Sequence, residues 1–222
     1  MKKLIIVGTG PFGEVAKAYF EAYTDYRVTA FACHARLKDR DEAFGCPLCS
    51  IEELPNLFSV DEHEVFVAIG FRDMNRIRQS VYNEVKEMDF RCASFIHPDV
   101  KIWSSTTLGD NVFVFEDNTI QPFTKIGCDT ILWSGNHIGH HSTIGNHCFL
   151  TSHIVVSGLC MIGDNVFIGV NASLHDSIKI GNGCLIGAGA IISRNIKDGQ
   201  AFIPESTKRF PGGISSLRGA SE

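Results

Sequence analysis

Apolar residues recur along this chain at two different intervals. From Phe95 to Ile196 an aliphatic residue stands at every sixth position, from Ile96 through Ile192, 17 times without a slip. In blocks of six beginning at Phe95, the aliphatic residue is second and Gly follows it in eight blocks (Gly109, Gly127, Gly139, Gly145, Gly163, Gly169, Gly181 and Gly187). The last position is small or apolar, as at Val112, Cys148, Cys160, Ala172 and Cys184. An amphipathic helix would show a period of 3.6 and a simple strand a period of 2. A strict period of six is that of a hexapeptide β-helix. Each block then makes one short strand and one corner, and three blocks make an 18-residue coil. The aliphatic residue points inward, and the Gly after it is expected to bend the backbone at the corner. Residues 18 apart stack at the sheet spacing of about 4.8 Å.

The first 94 residues follow another pattern. Lys3–Val7 reads as a buried strand, and Gly8-Thr9-Gly10-Pro11-Phe12-Gly13 leads into a helix whose apolar face is expected through Val15, Ala18, Tyr19 and Ala22. Arg27–Cys33 is a second strand, and Ser50-Ile51-Glu52-Glu53 is a capping box opening a short helix. Glu64–Ile69, ended by Gly70, is a further buried strand. Asp73 is placed to cap a helix with Ile77, Val81 and Val85 on its inner face, and Arg91–Phe95 returns the chain to the repeat. Alternating strands and helices imply a parallel sheet. The expected organisation is a small N-terminal Rossmann-like β-α-β domain (1–94), a parallel β-helix (95–202) and a C-terminal tail (203–222).

Composition narrows the partners. A net charge of −5 and a pI near 6.0 give no sign of nucleic acid or an anionic membrane surface. The apolar run Leu4–Val7 is too short for the core of a signal peptide, and no run is long enough to span a bilayer. The expectation is a cytoplasmic protein whose eight Cys are free thiols. Cys46-Pro47-Leu48-Cys49 lacks the second pair that zinc requires, and reads as strand or loop entering the capped helix.

Two segments carry candidate chemistry. Gly8, Gly10 and Gly13 match G-x-G-x-x-G between a strand and a helix, where backbone N–H groups can hold a diphosphate. The second strand ends Cys33-His34 with no carboxylate for a ribose, and the domain is short, so a nucleotide-diphosphate ligand is preferred to NAD. Arg72 and Arg76 stand near the end of the next strand and could neutralise phosphates. Within the repeat, seven of nine His are found, densest in Gly135–Ser142. His140 falls at a corner, and the 18-residue spacing puts Gly158 above it with a backbone N–H free to donate. A neutral imidazole can take a proton from an amine or hydroxyl, and an N–H can stabilise an oxyanion, which together suit acyl transfer. No Ser or Cys stands beside His140 as a nucleophile, so direct attack is expected. Zinc between stacked coils is the rival reading. No two His differ by 18 or 36, and adjacent His140 and His141 are expected to point apart, so no metal is expected. His137, His147, His153 and His175 read as polar corner residues.

The whole chain resembles the hexapeptide-repeat sugar acyltransferases of the sialic acid O-acetyltransferase type. It looks most like the nucleotide-4-aminosugar N-acetyltransferases of bacterial bacillosamine, perosamine or viosamine synthesis. The resemblance rests on Gly8–Gly13, Ala68-Ile69-Gly70, Phe95-Ile96-His97-Pro98 and His140, in that order. It implies a left-handed β-helix, a homotrimer with sites between subunits, and acetyl-CoA lying along the helix. By position, His140 would be the general base, and His141 stands where the family has a carboxylate that tunes it. Phe149, Gly158, Val170 and Ala188 would line the acetyl-CoA path, and Thr9, Gly10, Pro11, Phe12 and Gly70 would meet the nucleotide, with Arg76 nearby. Lys208 or Arg209 could meet CoA phosphates in a tail that lacks the usual N-P-A-K ending. The implied function is acetyl transfer from acetyl-CoA to the amino group of a nucleotide-linked 4-amino-4,6-dideoxysugar. A sugar O-acetyltransferase of the same fold and a non-catalytic nucleotide-sugar-binding protein are the alternatives.

Overall fold

A computed structural model describes residues 2–208. The α/β domain comprises β1 (Lys2–Val7), α1 (Pro11–Tyr23), β2 (Tyr26–Cys33), β3 (Glu42–Ala43), β4 (Cys46–Ser50), α2 (Leu54–Leu57), β5 (His63–Val67), α3 (Arg76–Glu87) and β6 (Arg91–Cys92). The sheet order is β3-β4-β2-β1-β5-β6, parallel except for β3 against β4. The capping box forms, with Glu53 accepting bonds from the Ser50 N–H and hydroxyl at 2.9 Å each. Cys46 and Cys49 lie in β4 as free, buried thiols.

Four details depart from the sequence reading. The buried face of α1 is Gly13, Ala16 and Phe20, while Ala18 and Ala22 are exposed, because the helix packs on both the sheet and the β-helix and so turns its stripe. β5 ends at Val67, and Ala68-Ile69-Gly70 begins a loop. Asp73 does not cap α3. Asp73, Met74 and Asn75 are consecutive left-handed residues (φ 50°, 49° and 66°), and Asn75 occupies the cap position. The inner face of α3 is Arg78, Val81, Tyr82 and Val85, whereas Ile77 is 45 % exposed.

From Phe95 the chain winds into a parallel β-helix of two-residue strands. Its three faces have seven, six and five strands, each residue pairing with the one 18 positions on, as in Phe113 with Ile131, His137 with Val155 and Thr143 with Met161. The final coil is shorter, since Leu185 pairs with Ala201 and Ile180 with Ile196. The second-position aliphatics from Val114 to Ile192 are buried in one continuous core together with Cys148, Cys160 and Cys184. In the first coil Ile96 and Leu108 are partly buried and Ile102 is 36 % exposed, because no coil stacks beneath them.

The corners are not made by the repeated glycines. From the third block to the sixteenth the left-handed residue is the fifth, as at Asn111, Asp117, Asp129, His141, His147, His153, Leu159 and Asn165. That conformation costs roughly 1–2 kcal/mol in most L-residues and less in Asn or Asp, which explains the Asn and Asp residues at this position. The third-position Gly is needed for stacking. A Cβ on Gly139 would lie 2.5 Å from the Gly158 nitrogen, and one on Gly145 would lie 2.6 Å from the Gly163 carbonyl carbon. The glycine lets one coil sit directly on the next.

The α/β domain covers the first face of the helix, which starts at Phe95, and the corner before it. Phe20 and Phe66 pack with Phe95, Phe113, Ile131 and Phe149. Arg78, fully buried, crosses from α3 into that corner. Its Nε meets Asp129 Oδ1 at 3.1 Å, and its Nη2 donates to the carbonyls of Asp129 (3.1 Å), His147 (2.9 Å) and Cys148 (3.1 Å). Asp129 Oδ1 also accepts from Asn111 Nδ2 at 2.7 Å, and its Oδ2 meets His147 Nδ1 at 2.8 Å. At the rim, Asp110 takes bonds from Tyr82 (2.5 Å) and Lys86 (2.7 Å). Burial alone would raise the Asp110 carboxyl, but these bonds hold it below its ordinary value, while burial and the Asp110 bond push the Tyr82 hydroxyl upward.

Two stability tests follow. Gly145→Ala should cost about 3 kcal/mol by backbone overlap, and Gly183→Ala, at φ 62° with open space around it, about 1 kcal/mol. Equal denaturation midpoints for the two variants would remove the stacking role of the third-position Gly. Asp129→Asn, which leaves the Arg78 charge buried without its counter-ion, should lower the urea-unfolding free energy by about 3–5 kcal/mol.

Candidate functional site

Each half of the candidate site is built by backbone geometry. In the α/β domain, β1 is followed by Gly8 (φ 127°), whose N–H donates to Ala32 O at 2.9 Å. A Cβ on Gly8 would lie 2.5 Å from Ala68 O, and one on Gly13 would overlap Gly8 O, so these two glycines seat α1 against the sheet. Gly10 and Gly70 differ: a Cβ on either would meet nothing within 4 Å. Both face open space at the carboxyl ends of parallel strands, where ligands of such sheets bind. Gly10 is the residue before α1 and Pro11 its first, so the Thr9–Pro11 backbone lies at a helix N-terminus suited to anions. Phe12 is turned away into the domain interface, its ring 6.2 Å from Trp133 and 5.7 Å from Phe113. Arg72 and Arg76 are exposed on and just after the Ala68–Asn75 loop.

The other half is the corner between the second and third faces. His140 and His141 are both exposed. The His140 N–H donates to Gln121 Oε1 at 2.9 Å. His141, left-handed at φ 57°, turns its ring back so that the two Nδ1 atoms meet at 3.1 Å. The expectation that these side chains point apart is therefore corrected, and the left-handed corner is the reason. His141 also lies 4.7 Å from the Phe123 ring. The Nδ1–Nδ1 bond requires a proton on one Nδ1 and a bare nitrogen on the other, so it cannot form when both rings are charged. The His140 ring lies over Gly158: a Cβ there would be 2.9 Å from His140 Nε2. The Gly158 N–H is not free, because it donates to Asp176 Oδ1 at 2.9 Å, a rung of the kind that also joins Asn146 N–H to Asp164.

Not all the sequence candidates come together in one chain. Val170 and Ala188 stack at the corner between the first and second faces, one whole face away from His140 and Gly158. Phe149 is 4 % exposed, enclosed by Phe71, Phe167 and Arg78 on the first face, so it is covered by this chain's own α/β domain. Lys208 is exposed, and Arg209 lies outside the described residues. Among the described residues no group of three or more His, Cys, Asp or Glu converges as a metal site, and no helix is long and apolar enough to cross a membrane. A concavity bordered by Lys2, Arg27, Gly45 and Pro47 lies at the amino ends of β1 and β2, the opposite end of the sheet from the glycine loop. The sequence reading missed Asp176, Gln121 and the Arg78 network. Asp176 and Gln121 were within reach of the same ruler, since Asp176 stands 18 residues beyond Gly158.

Comparison with known proteins agrees with this architecture. Residues 3–85 match the family described as PglD N-terminal domain, and residues 160–194 match bacterial transferase hexapeptide (six repeats). No curated protein is matched. Among solved structures, PerB from Caulobacter crescentus, in complex with CoA and GDP-perosamine, is 26 % identical with a TM-score of 0.82, covering 92 % of this chain and 95 % of that one. The acetyltransferase domain of PglB from Neisseria gonorrhoeae is 23 % identical with a TM-score of 0.81, covering 95 % of this chain and all of that one. WeeI from Acinetobacter baumannii shares the fold at 16 % identity and a TM-score of 0.79, covering 92 % of this chain and 97 % of that one. The chain thus joins a match to the PglD N-terminal domain with a match to the bacterial transferase hexapeptide, in an architecture similar to that of PerB over most of its length.

Proposed function

We propose that this protein transfers an acetyl group from acetyl-CoA to the amino group of a nucleotide-linked 4-amino-4,6-dideoxysugar in the cytoplasm, with His140 as general base. The observation that carries this reading is the corner itself: exposed His140 lies over a Gly whose missing side chain makes room for the imidazole, while His141 holds its Nδ1. For His140 to act as a base, its Nδ1 carries the proton and donates to His141, which leaves Nε2 bare. His141 thus supplies the acceptor that a carboxylate would otherwise supply. The amine nitrogen attacks the thioester carbonyl carbon as Nε2 takes its proton. The C–S bond then breaks, and His140 returns the proton to the departing CoA sulfur. Gly158 serves here by lacking a side chain; its N–H, engaged by Asp176, is given no oxyanion role.

The nucleotide is assigned to the Thr9–Pro11 backbone and the space above Gly10 and Gly70, with Arg76 beside the entrance. This loop sits on the first face of the helix and His140 on the opposite corner, so one chain cannot present both to one sugar. We therefore assign the site to a homotrimer in which His140 and Gly158 of one subunit face the Val170 and Ala188 corner of its neighbour, with acetyl-CoA in the groove between. Exposed Phe123, Val155, Leu159, Val170 and Ile191 cluster on the second face and its two corners, as an interface requires. A further support is that PerB, at 26 % identity, was solved with CoA and GDP-perosamine.

His140→Ala should lower kcat/KM by about 10²–10⁴-fold, assayed with acetyl-CoA and UDP-, GDP- and dTDP-linked 4-aminosugars. Near-normal turnover would remove His140 from the mechanism. Transfer only to sugars bearing a hydroxyl in place of the amine would make the protein an O-acetyltransferase. Nucleotide binding with no consumption of acetyl-CoA would make it a binding protein. Co-expressed subunits provide the test of the shared site. His140→Ala and Gly10→Trp, each inactive alone, should recover activity in mixed oligomers, and no recovery would place both halves in one subunit.

A further inference from the structure

The Ala68–Asn75 loop borders the open space above Gly10, yet its three left-handed residues have no glycine among them. Such a run needs outside support to persist. Arg78 supplies it. Its Nη1 donates to Gly70 O (3.2 Å), Ile69 O (3.5 Å) and Asn75 Oδ1 (3.2 Å), while its other nitrogens are fixed on Asp129, His147 and Cys148 of the β-helix. Asn75, also fully buried, donates from Nδ2 to Val166 O at 3.3 Å. Phe71, between them, rests on Phe149 and Phe167 at 5.2 and 4.7 Å. The loop is thus tied to consecutive coils of the helix, through Arg78 at its carbonyls and directly at its cap.

We propose that Arg78 and Asn75 are positioning residues for the nucleotide sugar: they set the Gly70 side of the nucleotide cleft in register with the β-helix. The proposal rests on the nucleotide-sugar reading above. Neither residue touches the ligand space. They act through the backbone of Gly70, whose carbonyl Arg78 holds and whose Cα side lies open to the cleft. Because the clamp is anchored to the coils that also carry the acyl-transfer corner, a displaced loop would misplace the sugar without disturbing the CoA groove.

The test uses Asn75→Gly, which permits φ 66° but removes the side-chain ties, and Arg78→Lys, which keeps the charge but loses the fork. Asn165→Gly is the control. It deletes another bond between α3 and the same corner, Asn165 Nδ2 to Gln79 Oε1 at 3.0 Å, and does not touch the loop. Calorimetric binding of UDP, GDP and dTDP is measured with KM for the aminosugar nucleotide and for acetyl-CoA, with thermal unfolding checking that each variant is folded. Asn75→Gly and Arg78→Lys should weaken nucleotide binding and raise the sugar-nucleotide KM by on the order of 10–100-fold. The acetyl-CoA KM should stay within about twofold, and Asn165→Gly should change neither. If the unaltered protein binds a nucleotide and both folded clamp variants bind it equally well, the positioning role is overturned alone. If the unaltered protein binds none of the three, the nucleotide-sugar reading falls and takes this proposal with it.

Discussion

The buried ion pair between Arg78 and Asp129 is the constraint on which the arrangement of the two domains depends. A fully buried guanidinium is tolerated only when its donors are all met, and here a carboxylate and backbone carbonyls of both domains meet them. Such a pair adds little net stability against an apolar substitute, but it admits only one geometry. The hydrophobic contact between the sheet and the Phe95 face is non-directional. The fork of Arg78 is directional. Asn111, Asn75 and His147 complete the same network, so the corner that α3 meets is polar where the rest of the interface is aromatic.

That docking decides where chemistry can occur. With one face and its leading corner covered by the α/β domain, the exposed corner of His140 lies on the far side of the triangle. The His140 corner and the glycine loop then lie on different surfaces of one subunit. The exposed apolar side chains on the second face and its corners are the surface through which the proposed neighbouring subunit would bring the two together.

Two sets of glycines illustrate how a single residue type serves opposite ends. Gly8, Gly13 and Gly139 are crowded, and a Cβ on any of them would strike backbone. Gly10 and Gly70 are uncrowded, and what they leave is room. Gly158 combines both properties: it is crowded only by the His140 ring, so its missing side chain is what allows the imidazole to lie over the coil above.

The period of six, the inward aliphatics, the 18-residue register and the alternation of strand and helix were all legible in the sequence, because each is set by local geometry repeated along the chain. The same ruler stacked His140 on Gly158. What it could not reach were contacts between segments far apart in number. Arg78 sits in a helix where a surface arginine is the ordinary expectation, and its partner lies 51 residues on. The engagement of the Gly158 N–H by Asp176 and the left-handed turn that brings His141 onto His140 depend on side-chain directions at the corners, which a period does not specify. The sequence determined the coil because stacking repeats. The tertiary structure decided which face the α/β domain covers, and so which corner is left open, because that depends on one non-repeating charge finding its partner.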